Sequence, residues 1–300
     1  MAGLPLPRVG DRIVLAVDVS PWLRPDAETS PQRLFCHVHG RAKGNAQMIP
    51  GWPYSIVAAL QSGRSSWTAV LDAVRLGPAD DATAVTATQL REVVDRLREA
   101  GHWRPGDPTI WIVLDSGYDV TRLAFLLADL PVQLTGRLRS DRVLARPVEP
   151  RPEGRGRPRR HGPLLVLADP ATWPVPEHTS STETSRYGTT QAGAWHRCHP
   201  RLERRGPWVD HPGELPIIEG TLIPAAGRSS ARRPRPEAAV AVAAGSSSRP
   251  SAGPAPSCAI PPPPTAGPGC SSSRTPNGGW PATSPSTCAA PGNDPAHPGG

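Results

Sequence analysis

The chain has 300 residues, of which 40 are proline and 29 are glycine, and many of these prolines lie toward the C-terminus. A segment of that composition cannot bury enough apolar surface to fold by itself, so the expected organisation is one folded domain followed by a tail. The formal charge of +7 favours a polyanionic partner, with nucleic acid as the leading candidate.

The five cysteines are irregularly spaced and follow no secretory signal, which argues against a disulfide framework. No apolar run reaches the roughly 18 residues that a membrane-spanning helix needs. We therefore expect a cytoplasmic protein that has no membrane partner.

The first predicted elements are strands. The aliphatic run Ile13–Val17 is typical of a strand buried on both faces of a sheet, and it is followed directly by Asp18. Leu34–His39 alternates as a second strand, and Ile56–Leu60 predicts a third strand after a turn around Gly51–Tyr54. The segment 67–76 either extends this strand or follows it.

A change of period after these strands predicts a helix. Leu90, Val93, Val94 and Leu97 fall on one face of a helix that starts near Thr86. Thr86 and Gln89 form a potential capping box, and Gly101 is a natural end for the helix.

A second buried strand, Ile110–Leu114, again ends at an acid, Asp115. Val120–Leu130 then predicts a helix, and Val132–Leu138 a further strand. The predicted order is strand, strand, strand, helix, strand, helix, strand.

The segment 137–160 holds nine arginines against three acids and is interrupted by prolines and glycines, which predicts a basic loop. The alternatives for this loop are a phosphate-binding surface and a merely solvated segment. Beyond it, Leu164–Leu167 and Pro216–Ile223 predict short strands.

The two acids that follow strands are the main candidate site. Ligands of α/β proteins bind outside the carboxyl ends of the strands, and both Asp18 and Asp115 are predicted there. Either aspartate alone is explained as the cap of a turn. Together, however, they predict a metal site, and carboxylate oxygens suit Mg²⁺ or Mn²⁺. The element order favours an α/β, ribonuclease H-like mixed sheet with flanking helices.

Several long phrases of the sequence carry a family resemblance. They are VLAVDVSPWLRPDAETSPQRLFCHVHG, IPGWPYS, SWTAVLDAVRLGP, DSGYDVTRLAFLLADLP, GRLRSDRV, RHGP and ELPIIEGTLI, which run from about Ile13 to Ile223. In these phrases the chain resembles the DDE transposases of bacterial insertion sequences, in the subgroup with a DDE superfamily endonuclease domain.

The resemblance implies that Asp18 and Asp115 are the first two members of an acidic triad that holds two magnesium or manganese ions. It implies metal-dependent cleavage of transposon ends, followed by transfer of the freed 3′ hydroxyl to target DNA. It also implies that Arg137, Arg139 and Arg142 contact the DNA backbone. Intact members of the family have the potential to form homo-oligomers.

Two departures from the family pattern are apparent. Family members carry a DNA-binding region ahead of the first catalytic strand, and we expect that this chain is truncated there. The third acid is normally a glutamate on a downstream helix, yet residues 224–300 contain 17 prolines and only two acids. The nearest downstream glutamates, Glu214 and Glu219, lie in a stretch that predicts a turn and a strand.

The composition of the tail matches a GC-rich reading frame translated out of phase. Codons for Ser247–Ala259 and Thr287–Pro295 can be chosen so that one alternative phase yields FKQTLGWTRPKLR and DLRRPWERP, which resemble the family's continuation. We therefore expect a partial catalytic domain over 1–223, with its core at about 11–145, and a disordered, out-of-frame tail over 224–300. We expect this chain to be an inactive copy of a transposase. The alternative is a non-enzymatic remnant that binds DNA without cutting it.

A cysteine–histidine set offers a weaker, zinc-binding alternative. It comprises Cys36, His37, His39, His196, Cys198 and His199. The spacing does not match a zinc finger, so ordinary strand packing is the favoured interpretation.

Overall fold

The structure is a computed structural model that describes residues 5–39, 46–61, 68–148, 159–184, 188–226 and 238–243. The chain divides into two units, Met1–Pro250 and Ser251–Gly300, and the second unit lies wholly outside the described residues. No helix within the described part is long and apolar enough to cross a membrane.

The first unit is a mixed α/β structure whose described strands are all joined by pairing. The strands are β1 (Val14–Leu23), β2 (Leu34–His39), β3 (Ala46–Leu60), β4 (Thr68–Arg75), β5 (Ile110–Leu114), β6 (Val132–Leu138), β7 (Val143–Ala145), β8 (Leu164–Val166), β9 (His178–Thr184), β10 (Gly188–Pro200), β11 (Gly220–Ala226) and β12 (Ala238–Ala243). The helices are α1 (Ala82–Glu99) and α2 (Val120–Leu126), with 3-10 turns at Pro170–Thr172 and Gly206–Trp208.

The strand order is β2-β3-β1-β5-β6-β12-β11-β10-β7-β8, with β4 also on β3 and β9 also on β10. β1 pairs in parallel with β5, and β5 pairs in parallel with β6, whereas β3 runs antiparallel to β1. The predicted α/β class is confirmed, and the arrangement is consistent with a ribonuclease H-like fold. β5 and β6 have the predicted bounds.

One face of the central strands forms the core. Leu15, Val17, Ile112, Leu114 and Leu134 are all buried, and they alternate along their strands with less buried residues. Because side chains of a strand point to opposite faces in turn, this alternation leaves the second face of β1, β5 and β6 facing away from the core.

Helix α1 covers the core face. Its buried side includes Leu90, Val93 and Leu97, as the periodicity predicts. Gln89 Nε2 donates to the Ser55 carbonyl of β3 at 2.9 Å, which fixes the helix against that strand.

The predicted capping box of α1 is wrong. The helix begins one turn earlier, with Asp81 as its N-cap, and the Asp81 carboxylate accepts from the backbone N–H groups of Thr83 and Ala84. Thr86 and Gln89 are buried instead, because they lie on the face that packs against β3. Gly101 has a φ of +71° directly after the C-cap, which confirms the predicted end.

The turn predicted around Gly51–Tyr54 is also wrong, since β3 runs through it without interruption. On one edge β3 changes partner there, from β2 to β4, while the other edge stays paired with β1. A Cβ atom on Gly51 would lie 2.6 Å from the Trp22 carbonyl oxygen, so the glycine allows a close approach of β1. The segment that follows is a separate strand, β4.

The second half of the sheet differs most from the predictions. The hairpin of β9 and β10 was not predicted, because its polar sequence lacks the apolar alternation of a half-buried strand. Part of the predicted basic loop is strand β7, which pairs with both β8 and β10. Residues 149–158 of that loop lie outside the described residues.

Strands also occur beyond residue 223, where the tail was expected. β11 continues to Ala226, and the backbone of β12 pairs antiparallel with both β6 and β11. The remainder of 224–300 lies outside the described residues, so the domain boundary at 223 stays a prediction.

Helix α2 lies very close to β6 at one glycine. A Cβ atom on Gly136 would come within 2.8 Å of the Val120 Cβ atom. We predict that Gly136→Ala lowers the free energy of unfolding by about 1–3 kcal/mol, because an added methyl forces the helix away from the sheet. Urea denaturation measures the change.

The matched control for this prediction is Gly117→Ala. A Cβ atom there has no neighbour within 4 Å, so we expect a change within about 0.5 kcal/mol. Equal destabilisation by the two substitutions would contradict the close packing of α2.

A pair of histidines, of which His199 is buried and His161 partly buried, joins β10 to the chain before β8. His161 Nδ1 lies 3.0 Å from His199 Nε2, and His199 is 1% exposed. Burial lowers the pKa of both imidazoles, and the charge of Arg160 lowers both further. The charge of Arg201 also lowers the pKa of His161. For His199, a hydrogen bond to the Arg197 carbonyl and the charge of Glu219 act in the opposite direction. The folded chain therefore favours the neutral pair.

This pair predicts acid destabilisation. Below the ordinary histidine pKa of 6.5, the unfolded chain takes up protons that the folded pair resists, so the free energy of unfolding falls as the pH drops from 7.5 to 5.5. We predict a shallower pH dependence for the double substitution His161→Gln and His199→Gln, measured by urea denaturation across that range. His102→Gln should retain the wild-type dependence, and an unchanged slope in the double variant would rule out the pair as its source.

Candidate active site

Three neighbouring strands bring three predicted site residues to one level of the sheet. Val17 of β1 lies opposite Leu114 of β5, and Leu114 lies opposite Gly136 of β6. The next residues along these strands are Asp18, Asp115 and Arg137. Because the preceding residues point to the core, this register directs the three side chains to the other face of the sheet.

The position of Asp18 differs from the prediction in one respect. β1 does not end at Val17 but continues to Leu23, with Asp18 opposite Ile56 of β3. What ends at Val17 is the pairing with β5. Asp18 therefore lies inside a strand, at the point where its neighbour β5 stops, whereas Asp115 directly follows its strand as predicted.

Both carboxylates are accessible to solvent. Asp18 is exposed, and its Oδ1 accepts the backbone N–H of Val19 at 2.9 Å. The side chain of Asp115 is 59% exposed, and its Oδ1 lies 4.0 Å from Arg137 Nη1. Strand spacing puts the backbones of the residues just before them, Val17 and Leu114, about 4.8 Å apart. This arrangement can present two anionic ligands to a cation, with a guanidinium beside one of them.

Tyr118 adds a group that the sequence did not indicate. Its hydroxyl oxygen is buried and has no hydrogen bond of ordinary geometry among the described residues. Burial raises the pKa of this hydroxyl; the charge of Asp18 acts in the same direction, and the nearby Ser55 side chain opposes it. Tyr118 is thus a neutral hydroxyl within electrostatic range of Asp18. Its only sequence signal is its place three residues after Asp115, in a turn.

The other two predicted arginines lie just beyond β6. Arg139 and Arg142 are exposed in the turn between β6 and β7, and Arg139 pairs with Asp141 at 3.4 Å. Arg137, in contrast, lies within β6 next to Asp115. Along the chain, the three cations therefore run from the end of β6 into the turn that follows it.

The two glutamates considered as a third acid are engaged elsewhere. Glu214 pairs with Arg160 at 3.3 Å, and Glu219 pairs with Arg197 at 3.0 Å. Among the described residues, no three His, Cys, Asp or Glu side chains come together as a metal-binding group. For the cysteine–histidine set, Cys36 and Cys198 are buried free thiols, and the side chain of His39 lies outside the described part.

The site fits a divalent cation in its donors, of which the described part of the chain supplies two. Asp18 and Asp115 offer the oxygen ligands that Mg²⁺ and Mn²⁺ prefer, and both are on the open face of the sheet.

Comparison with known families identifies the family of this chain. Residues 1–201 match the family described as DDE superfamily endonuclease, and the match confirms the resemblance seen in the sequence. A search of curated proteins finds no match. The family assignment supports a transposase- or endonuclease-like function with DNA as substrate, in a superfamily that generally uses divalent metals. The chain belongs to the DDE superfamily endonucleases.

Proposed function

We propose that this chain is the catalytic domain of an insertion-sequence transposase, with Asp18 and Asp115 as the metal ligands for cleavage and strand transfer of DNA. The observation that carries the proposal is the parallel register of β1 and β5, which aligns the two aspartates on one face of the sheet. A family match over the same strands supports it.

In this proposal each group near the site has a defined task. Asp18 and Asp115 hold the divalent cation, which when bound stabilises charge on the phosphate oxygens and makes water a better nucleophile. Arg137, whose guanidinium lies beside Asp115, donates to a phosphate oxygen of the strand under attack. Arg139 and Arg142 extend the contact along the DNA backbone.

We further propose that this copy binds DNA and metal but does not complete the reaction. Two observations support this. The sequence after Ile223 has no segment that resembles the family's glutamate-bearing helix, and the nearby Glu214 and Glu219 are each paired with an arginine. A non-enzymatic DNA-binding remnant is the second candidate function, and the basic segment 137–160 favours it.

The first prediction concerns the cation. We expect weak Mn²⁺ binding by the wild type, and a loss of about tenfold or more in affinity for Asp18→Asn or Asp115→Asn, because affinity depends on the number of charged ligands. Titration followed by the electron paramagnetic resonance signal of free Mn²⁺ measures this. Asp95→Asn, on the exposed side of α1, is the control. Unchanged affinity in both site variants would contradict the assignment.

The second prediction concerns DNA. Binding to duplex DNA should weaken steeply with salt, and removal of Arg137, Arg139 or Arg142 should each reduce the logarithmic salt slope by about one. Fluorescence anisotropy at several salt concentrations measures the slope. A slope that is the same for all three variants and the wild type would exclude these arginines as phosphate contacts.

Nicking of supercoiled plasmid distinguishes an active from an inactive copy. We expect no nicking with Mg²⁺ or Mn²⁺ beyond that of the Asp115→Asn variant. Nicking that the wild type performs and Asp115→Asn abolishes would show that the copy is active, and it would restore the full transposase assignment.

A further inference from the structure

Aromatic and cationic side chains extend from the carboxylates along the same face of the sheet. The aromatic members are Trp22, Trp52, Tyr54 and Phe35, and the cationic members are Arg24, Arg33 and Arg75. This set is named the aromatic–arginine strip.

Strand register places the strip on the face of Asp18. Along β1 the residues Asp18, Ser20 and Trp22 are all exposed, and because side chains of a strand point to opposite faces in turn, the three share one face. Ser20 lies opposite Tyr54 and Trp22 opposite Trp52 on β3. The two indole rings are in contact, with centroids 5.7 Å apart and planes inclined by 48°. The row of rings therefore begins next to the metal-ligand candidate.

Strand β2 adds a second row. Phe35 lies opposite Pro50, which is two residues before Trp52 on β3 and so shares its face. The guanidinium of Arg33 lies 5.3 Å from the Phe35 ring centroid, and that of Arg24 lies 5.9 Å from the Trp22 ring centroid. Arginine and aromatic groups thus stack in pairs on this surface.

Two of the four rings of the strip are exposed to solvent, and those of Trp52 and Tyr54 are partly buried. Trp22 is 56% exposed and Phe35 is 51% exposed, although large aromatic side chains are normally buried to a greater extent. Neighbouring exposed aromatics of this kind mark a binding surface.

The charge of the strip indicates the kind of partner. Arg33 donates to the Ser30 carbonyl and Arg75 to the Gln32 side chain, so these hydrogen bonds go to neutral oxygen atoms and leave the positive charge in place. Arg24 pairs with Asp26, which offsets its charge locally. A surface of open rings with a net positive charge complements bases and phosphates together, as in proteins that bind single-stranded nucleic acid.

We propose that the aromatic–arginine strip binds unpaired nucleotides of the DNA strand whose scissile phosphate would lie beside the cation site of Asp18 and Asp115. The proposal rests on the DNA-directed function proposed above. Four residues of extended chain separate Asp18 from Trp22, which is roughly 13 Å. That distance is the length of about four nucleotides at the spacing of a duplex, and an unpaired, extended strand covers it with fewer. Because the faces of paired bases are covered in a duplex, stacking on Trp22 requires that the DNA is open there.

The test compares single-stranded and double-stranded DNA without metal. A fluorescein-labelled oligothymidylate of about 20 nucleotides and a blunt hairpin duplex are titrated with the full chain in EDTA, and anisotropy gives the two affinities. We expect tighter binding of the single strand, and a loss of about tenfold for Trp22→Ala, in line with the contribution of one base stacked on an aromatic ring. Trp22→Phe should recover most of the affinity, since it keeps a ring.

Two controls are matched to the strip. Phe125→Ala removes an exposed ring on α2, outside the strip, and should leave single-strand affinity within twofold of the wild type. Arg205 pairs with Glu203 as Arg24 pairs with Asp26, two residues away in sequence, so Arg205→Ala is the control for Arg24→Ala. Only Arg24→Ala should weaken single-strand binding.

The outcomes separate this proposal from the proposed function. Because the titration contains no metal, absence of plasmid nicking does not affect it, and a Trp22-dependent preference for the single strand supports the strip even in an inactive copy. Single-strand affinity that Trp22→Ala leaves within twofold of the wild type, or that Phe125→Ala lowers equally, would overturn it. If thermal melting shows that Trp22→Ala is unfolded, Phe35→Ala takes its place with the same expected loss.

Discussion

The parallel pairing of β1 with β5 determines where the two aspartates of the candidate site lie. It aligns Val17 with Leu114, and the residues that follow are the two aspartates. Since side chains alternate along a strand, a slip of one residue in β1 would turn Asp18 into the core and bring Val17 to the surface. The free-energy cost of burying an unpaired carboxylate excludes that register, so the hydrophobic core and the site fix each other's position.

One face of the central sheet packs in the core, and the other carries the residues of the candidate site. One face is closed by α1 and α2 and buries aliphatic side chains of β1, β5 and β6. The other presents Asp18, Asp115 and Arg137, and farther along β1 the rings of the aromatic–arginine strip. A rigid, packed layer directly beneath a polar surface holds charged groups at fixed separations, which is what a site for phosphoryl transfer requires.

Sequence patterns predicted best the elements that are buried on at least one face. β5, β6 and the apolar side of α1 were predicted because aliphatic residues repeat there with the period of a strand or a helix. The path of β3 was not predicted, since Pro50, Gly51 and Pro53 are normally turn residues. The close approach of β1 that explains Gly51 is a long-range contact. The hairpin of β9 and β10 and the contact of Arg137 with Asp115 depend on long-range pairing, which leaves no local signature.

Strand β12 also acts through pairing, because it covers the edge of β6. Without a strand at that position, β6 would be the last strand of the central sheet, with a row of unsatisfied backbone groups able to pair with another chain. The run AAVAVA closes that edge through main-chain hydrogen bonds, which do not depend on side-chain identity. A segment that carries no resemblance to the family can therefore still protect the fold against aggregation. A chain that ended before Ala238 would lack β12, and the backbone groups of β6 would then be free to pair with a strand of another chain.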